Sequence, residues 1–194
     1  MWVNLIAAFT SESPQCALSY SSSSAQKLAE DLLPAHQSFL LAYESEIPPA
    51  YAEKLDSAFL FRSTPCVIVH KDHPLTAKAS IQLQDLANER ISLPCPDSSL
   101  YVRLKQLFDL YQMPFPADNF YTYMMRQKMV AENKSVSFFT LHPDFAPPAN
   151  IRQIPLVDPL EPWTARLYWH KDRPLTAEES AFRDFVVNYY SALH

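Results

Sequence analysis

The sequence predicts an α/β fold with largely parallel sheets. Short runs rich in β-branched and aromatic residues alternate with segments whose apolar residues recur at helical spacing, which is the pattern of strands joined by helices. The phrase HKDHPLT at residues 70–76 returns as HKDRPLT at residues 170–176. Each copy follows a predicted strand and contains a proline that stops a strand, so the pair indicates two similar halves with an exposed turn in each.

The predicted strands are short and rich in β-branched or aromatic side chains, as buried strands are. They comprise residues 16–20, 38–43, 58–62, 66–70, 119–123, 135–140, 152–157 and 164–170.

Three amphipathic helices are predicted from their N-terminal caps. The first follows Ser24, and the second follows Ser98 or Ser99. The third follows Thr176, which forms a T-x-x-E capping box with Glu179. The apolar residues expected to pack into the core are Leu28 and Leu32 in the first helix, Leu100, Leu104, Leu107 and Phe108 in the second, and Phe182, Phe185, Val186 and Tyr189 in the third.

The chain contains no glycine, although about 7% is the average content. A Walker loop, a dinucleotide-binding GxGxxG turn and a GxSxG nucleophile elbow all require glycine for close backbone approach or a strained turn. The composition therefore excludes these three kinds of site. Turns must be formed by the 17 prolines and by Asn, Asp and Ser.

The net charge of −5 gives no basic surface that could follow a nucleic-acid backbone. No stretch approaches the roughly 18 consecutive apolar residues of a transmembrane helix, and the N-terminal segment lacks the features of a signal peptide. A soluble, cytoplasmic protein without membrane contact is predicted. Its three cysteines, Cys16, Cys66 and Cys95, are too few and too scattered for a disulfide framework, so reduced thiols are expected.

Four segments, taken in order, resemble the effector-binding domain of LysR-type transcriptional regulators. Residues 66–94 (CVIVHKDHPLTAKASIQLQDLANERISLP) are similar to the central signature of that family, with its strand, HPL turn, short helix and strand ending in proline. Residues 21–43, 129–140 and 165–186 are similar to further family segments. Departures at constant spacing are Ala35, Asn133 and Ser135 in place of glycines and Ser38 in place of an aspartate. Where φ must be positive, Asn133 is the least costly replacement and Ser135 the more strained one.

The resemblance implies two Rossmann-like subdomains joined by two crossing strands, as in type II periplasmic binding proteins. Subdomain I would comprise residues 1–63 and 168–194, without a counterpart of the family's first strand, and subdomain II residues 64–167. It implies a small-molecule effector in the cleft between the subdomains, and a homodimer, or a tetramer in the full-length regulator. DNA would be contacted only through an N-terminal helix-turn-helix, which this sequence does not include.

The candidate effector-binding residues follow the ends of predicted strands, where helix N-termini offer free N–H groups to a ligand. They are Ser22, Ser23, Ser24, Tyr43, Cys95, Ser98, Ser99, Thr122 and Tyr123. The family lines its cleft with several of these positions. The alternative for Ser and Thr residues there is a helix cap without any ligand. The carboxylate of Asp97 would disfavour an anionic effector at this corner unless a cation offsets it.

Other chemistries receive weaker support. Cys95 precedes a helix N-terminus and could sense oxidants, although Asp97 opposes thiolate formation. The methionines Met124, Met125 and Met129 are expected to fill the core. Cys66, His70 and His73 lack a fourth ligand for zinc.

No Ser/His/Asp arrangement or pair of carboxylates stands out, so neither enzymatic activity nor a cofactor is expected. A stand-alone solute-binding protein of the same fold remains the alternative to a regulator.

Overall fold

The computed structural model describes residues 3–21, 25–32, 37–96, 98–117, 119 and 121–193. The chain forms two compact units, which we call unit 1 (residues 1–63 and 163–194) and unit 2 (residues 64–162). The second boundary lies before residue 163 rather than before residue 168. The strand that begins at Trp163 pairs along its whole length with strands of unit 1, which places its first residues there.

The helices and strands are numbered in chain order. The strands are β1 (Leu40–Tyr43), β2 (Leu55–Ser63), β3 (Pro65–His70), β4 (Ile91–Ser92), β5 (Val136–Thr140), β6 (Ile151–Pro155) and β7 (Trp163–His170). The helices are α1 (Val3–Glu12), α2 (Ala25–Leu32), α3 (Pro49–Ala52), α4 (Ser99–Leu110), α5 (Tyr123–Ala131) and α6 (Ala177–Ser191).

In unit 1 the sheet has the order β1-β7-β2, and both pairings are antiparallel. One face is covered by α6, where the ring of Tyr190 lies 4.9 Å from the ring of Phe61 and both side chains are fully buried. The other face packs against α2 through Leu32, Leu40 and Tyr168. The sheet is therefore buried on both faces, as expected for an α/β unit.

In unit 2 the sheet has the order β4-β5-β3-β6, and only β4 and β5 run parallel. The prediction of largely parallel sheets is therefore wrong. A parallel pair needs a long crossover, which α4 and α5 provide between β4 and β5. Strands β5 and β6 are separated only by the loop 141–150, and they flank β3 as antiparallel neighbours. The alternation of strands and helices does not reveal these directions.

Six of the eight predicted strands are confirmed, with their ends shifted by up to three residues; they correspond to β1, β2, β3, β5, β6 and β7. The predicted strand at 16–20 is wrong. Residues 17–21 have no ladder partner in the described part of the chain, and with β1 they line a groove of about 760 Å³. The predicted strand at 119–123 is also wrong, because α5 begins at Tyr123 after its cap Thr122.

Two of the predicted helix caps are confirmed, and the third, Ser24, lies outside the described residues. The Ser98 hydroxyl accepts a hydrogen bond from the Tyr101 N–H over 3.1 Å. Thr176 and Glu179 form the expected capping box of α6. Leu104, Leu107 and Phe108 of α4 are buried, as their spacing predicted.

The repeated phrases form equivalent turns after β3 and β7. The Nδ1 atom of His70 accepts a hydrogen bond from the Asp72 N–H over 3.3 Å, and His170 accepts one from the Asp172 N–H over 3.1 Å. In both turns the residues between strand and proline include exposed lysine and aspartate. The predicted exposed turns follow both strands, and each histidine is the half-buried last residue of its strand.

Two helices end without glycine in the left-handed conformation. Asn133 has φ 54° and Gln112 has φ 53°. After α5, the Lys134 N–H donates to the Met129 carbonyl over 2.8 Å, and after α4 the Met113 N–H donates to the Phe108 carbonyl over 3.0 Å. These are Schellman caps, in which glycine is the usual residue. Asn133 thus occupies one of the positions where a positive φ was considered, Ser135 does not take one, and Gln112 was not foreseen.

Candidate functional site

The N-termini of α4 and α5 lie next to each other in unit 2. The backbone of Leu93, just after β4, exchanges hydrogen bonds of 2.7 and 2.9 Å with Asn119 and Tyr121, which precede α5. The thiol of Cys95 adds a contact of 3.7 Å to the Tyr121 carbonyl oxygen. The loops that lead into both helices are therefore joined at this point.

Five of the predicted effector-binding residues lie at these two helix N-termini. Ser98 is the N-cap of α4, and Ser99 is its first residue. Thr122 is the N-cap of α5 and accepts a hydrogen bond from the Met125 N–H over 3.5 Å. Tyr123 begins that helix and is 39% exposed, and Cys95 is half-buried.

The remaining predicted residues belong to unit 1. Tyr43 ends β1, where its half-buried ring lies 6.5 Å from the ring of Trp163. Ser22, Ser23 and Ser24 lie outside the described residues. The structure therefore gathers five of the nine predicted residues at one place in unit 2 and locates Tyr43 separately in unit 1.

The sequence analysis missed Arg126, a charged residue of α5 that is only 6% exposed. Its Nη1 atom donates to the Phe138 carbonyl over 2.7 Å and to the Ser137 hydroxyl over 3.2 Å. Its Nε atom is buried without a hydrogen-bond partner, and no ion pair between described residues includes this guanidinium. A buried charge in this state is unusual, because burial without a counter-charge is strongly unfavourable.

Buried serines hold the Arg126 guanidinium in place. The Ser137 hydroxyl, which accepts from Arg126, donates to the Ser92 carbonyl over 2.6 Å. The Ser135 hydroxyl donates to the Ser92 hydroxyl over 3.1 Å, and the Ser92 hydroxyl donates to the Val136 carbonyl over 3.2 Å. These hydroxyls are all engaged with one another or with the backbone, so the network fixes the arginine without neutralising it.

The Arg126 guanidinium places a positive charge in the interior beside the start of α5. Burial lowers the pKa of the Arg126 guanidinium, while the proximity of Cys95 and Tyr123 opposes that shift. An arginine nevertheless stays protonated in proteins. It lies in the first turn after Thr122, at the positive end of the α5 dipole. This arrangement favours a negatively charged ligand group.

The signal that could have revealed Arg126 is its spacing. Thr122, Arg126 and Val130 recur every four residues and so share one face of a helix. Val130 is fully buried. An arginine between a helix cap and a core valine on the same face predicts a buried cation. This pattern was missed because residues 119–123 were assigned to a strand, so the start of α5 was not recognised.

Unit 1 contains the groove of about 760 Å³ between residues 17–21 and β1. Its lining is largely apolar and includes Leu18, Leu28 and Phe182. A hydrogen bond of 3.2 Å from the Gln37 side-chain amide to the Ser21 hydroxyl lies at the polar side of this groove. No charged residue is among those that line it in the described part of the chain, so it offers no counter-charge to an ionic ligand.

The other candidates from the sequence lie elsewhere. Met129 is half-buried, whereas Met124 is 78% exposed and Met125 is 49% exposed, so the prediction that the methionines fill the core is wrong for these two. They point away from the buried face that carries Arg126 and Val130. Within the described residues, no group of three or more His, Cys, Asp or Glu side chains is suited to a metal ion. None of the described helices has the length and apolar character needed to cross a membrane.

The chain matches the family model of the LysR substrate binding domain over residues 1–191. It is 26% identical over 148 residues to YwbI of Bacillus subtilis (strain 168), an HTH-type transcriptional regulator. The matched region covers 73% of this chain and 48% of YwbI. The chain thus spans about half the length of that curated relative.

Two solved structures illustrate the likeness of fold. HinK, a LysR family transcriptional regulator from Pseudomonas aeruginosa, has a TM-score of 0.79 and 17% identity, with 98% of this chain and 66% of HinK covered. The effector binding domain of QuiR in complex with shikimate has a TM-score of 0.69 and 18% identity, with 97% of this chain and 90% of that domain covered. By the family match and the shared fold, this chain belongs to the LysR substrate-binding domains, the effector-binding part of LysR-type transcriptional regulators.

Proposed function

We propose that this chain is the ligand-sensing and dimerisation domain of a LysR-type transcriptional regulator, and that a small-molecule effector binds it to control transcription. DNA would be contacted by a helix-turn-helix outside this sequence. The observation that carries the proposal is the junction of two helix N-termini at Cys95 and Tyr121, backed by the buried cation of Arg126. Such a junction presents N–H groups and positive charge to a ligand.

The relatives support this assignment. The effector binding domain of QuiR forms a complex with shikimate, and its fold covers nearly the whole of this chain. We place the corresponding function, recognition of a small metabolite, on Cys95, Ser98, Ser99, Thr122 and Tyr123 of unit 2, together with Tyr43 and the serines 22–24 of unit 1.

The effector would act by shifting a population. A ligand that binds one conformation of the regulator more tightly than another raises the fraction of the first, by an amount set by the ratio of the two affinities. Catalysis is not part of the proposal. The hydroxyls of Ser98 and Thr122 serve as helix caps, and the buried serines bond to one another, to the backbone or to Arg126 rather than to a histidine base.

A thermal-shift screen tests binding. The domain is melted alone and with small carboxylic acids, amino acids, aromatic acids and neutral analogues of each. A ligand at about 100 times its Kd stabilises a protein by about 2.7 kcal/mol, and for a chain of this size that raises Tm by about 5–10 °C. At least one compound should produce a saturable rise of this kind. A screen in which no compound does so would contradict the proposed function.

Dimerisation is tested separately by sedimentation velocity on the purified domain at micromolar concentration. We expect a species of twice the chain mass, and a mass that is unchanged by the effector. A monomer at all concentrations would remove dimerisation from the proposal and leave effector binding standing.

A further inference from the structure

Arg126 is buried without a carboxylate partner among the described residues, unlike Arg173. The chain satisfies another partly buried arginine, Arg173, with two hydrogen bonds of 2.9 Å to the carboxylate of Glu179. Arg126 has only two neutral acceptors, Ser137 and Phe138, and both bind its Nη1 atom. Its positive charge is therefore left without a carboxylate among the described residues, which is unfavourable in the interior.

The position of Arg126 in its helix adds to this unfavourable energy. The N-terminus of a helix carries partial positive charge, so anions are favoured there and cations are disfavoured. Arg126 is the fourth residue of α5, and its backbone N–H bonds to the carbonyl of the cap Thr122 over 3.0 Å. An anion at this end of α5 would compensate the helix dipole and the guanidinium at the same time.

Two partly exposed residues lie close to the guanidinium. Cys95 and Tyr123 are near enough to Arg126 to interact with its charge, and both are partly exposed. The buried serine network holds Nη1, so the Nε atom keeps unused hydrogen-bonding capacity. Guanidinium groups pair with carboxylates and phosphates through two parallel N–H groups, which makes them selective for these anions.

We propose that the effector of this domain is an anion, and that its carboxylate or phosphate is bound by Arg126 at the N-terminus of α5. This inference rests on the proposed function and names the chemical class of the effector.

The test uses pairs of compounds that differ in charge. Benzoate is compared with benzamide, shikimate with its methyl ester, and inorganic phosphate is included as the simplest phosphate probe. Binding to the intact domain is measured by calorimetric titration and by the rise in Tm. The variants are Arg126→Met and Arg126→Gln, and Lys128→Met is the matched control because Lys128 lies on the same helix with its side chain 72% exposed.

We expect at least one anion to bind the wild type and its neutral partner to bind at least ten times more weakly. Arg126→Met and Arg126→Gln should each weaken binding of that anion by at least tenfold, whereas Lys128→Met should change it by less than twofold. Circular dichroism and a cooperative melt establish that the Arg126 variants are folded; the glutamine variant keeps a polar amide in place of the charged group.

Other results would overturn the inference, in distinguishable ways. If a neutral compound binds as tightly as its anionic partner, or if both Arg126 variants bind the anion like the wild type, effector binding stands and the anionic class is wrong. If anions bind only after Asp97→Asn, the wild type does not accept an anion at this place, and the class is again wrong. If no compound of either charge binds, the proposed function fails together with the inference.

Discussion

The Nη1 atom of Arg126 lies 2.7 Å from the carbonyl oxygen of Phe138, and no described carboxylate forms an ion pair with this arginine. The guanidinium is thus held in the interior of unit 2 by neutral acceptors. Residues that serve binding are often retained at the expense of stability, because the bound ligand supplies the interaction that the free protein lacks.

Replacing Arg126 with Met is expected to stabilise the ligand-free domain. The substitution removes an uncompensated buried charge and fills similar space with an apolar side chain, at the loss of the hydrogen bonds to Phe138 and Ser137. We expect the free energy of unfolding to rise by about 1 kcal/mol, measured by urea denaturation. Arg173→Met is the comparison, because it breaks the pair with Glu179 and should destabilise. Equal destabilisation by the two variants would show that Arg126 is structural.

Glycine at the two Schellman positions is expected to stabilise the chain. Gln112→Gly relieves a left-handed conformation that glutamine tolerates poorly, and should add about 1 kcal/mol to the free energy of unfolding. Asn133→Gly should add less, because asparagine adopts this conformation more readily. Lys134→Gly, one residue beyond Asn133 and without positive φ, is the control and should destabilise. Stabilisation by the control and not by Gln112→Gly would contradict the backbone assignment.

Acid is expected to destabilise the domain through His142 below about pH 6.5. Burial lowers the pKa of His142 to about 4 from its ordinary value of 6.5, so the unfolded chain binds the proton more readily than the folded one. The stability contribution is complete above pH 6.5 and is lost as the pH falls toward 4. His142→Asn keeps an acceptor for the Asp144 N–H and does not titrate. In chemical denaturation series, this variant should lose less stability between pH 6.5 and 4 than the wild type.

Glu179 provides an internal comparison at lower pH. Its hydrogen bonds from Arg173 are the main cause that lowers the pKa of this carboxyl from 4.5 to about 2. Its contribution is present above pH 4.5 and is lost as the pH falls toward 2. Arg173→Met should therefore alter the pH dependence below 4.5, and His142→Asn the part above 4. The same change in both windows for both variants would contradict these assignments.

Cys66 is expected to resist alkylation in the native domain. The side chain is fully buried in β3, and burial raises the pKa of its thiol to about 12. Cys16 and Cys95 are partly exposed. Because the thiolate is the reacting species, iodoacetamide should modify Cys16 and Cys95 in the folded protein and Cys66 only in denaturant. Peptide mass spectrometry of the labelled protein distinguishes the three sites, and rapid native labelling of Cys66 would contradict the packing of β3.

The parts of the fold that could be predicted are those determined by local sequence. The caps at Ser98 and Thr176 follow from residue type and spacing alone, and so does the apolar face of α4. Strand direction could not be predicted, because it depends on which strands become neighbours. The segment 16–20 has the composition of a strand, yet a strand also needs a partner, and composition carries no information about that.

The candidate site could be predicted only in part, for a related reason. Helix caps identify where Ser98 and Thr122 lie, whether or not a ligand binds there. Arg126 contributes through its burial beside Ser137, and the two residues approach only because α5 packs against β5. Burial of a single arginine depends on how the whole unit packs. From one sequence alone, the only indication is the four-residue spacing of Thr122, Arg126 and Val130.

The most direct measurement of the central claim is hydrogen–deuterium exchange of the domain with and without the compound that raises Tm most in the screen. If the effector binds at the junction of α4 and α5, backbone amides in residues 93–102 and 121–127 should exchange more slowly in the complex. With the compound at a concentration near the wild-type Kd, Arg126→Met should lose most of this protection. Protection confined to other segments, or protection at 121–127 that persists in Arg126→Met, would contradict the account.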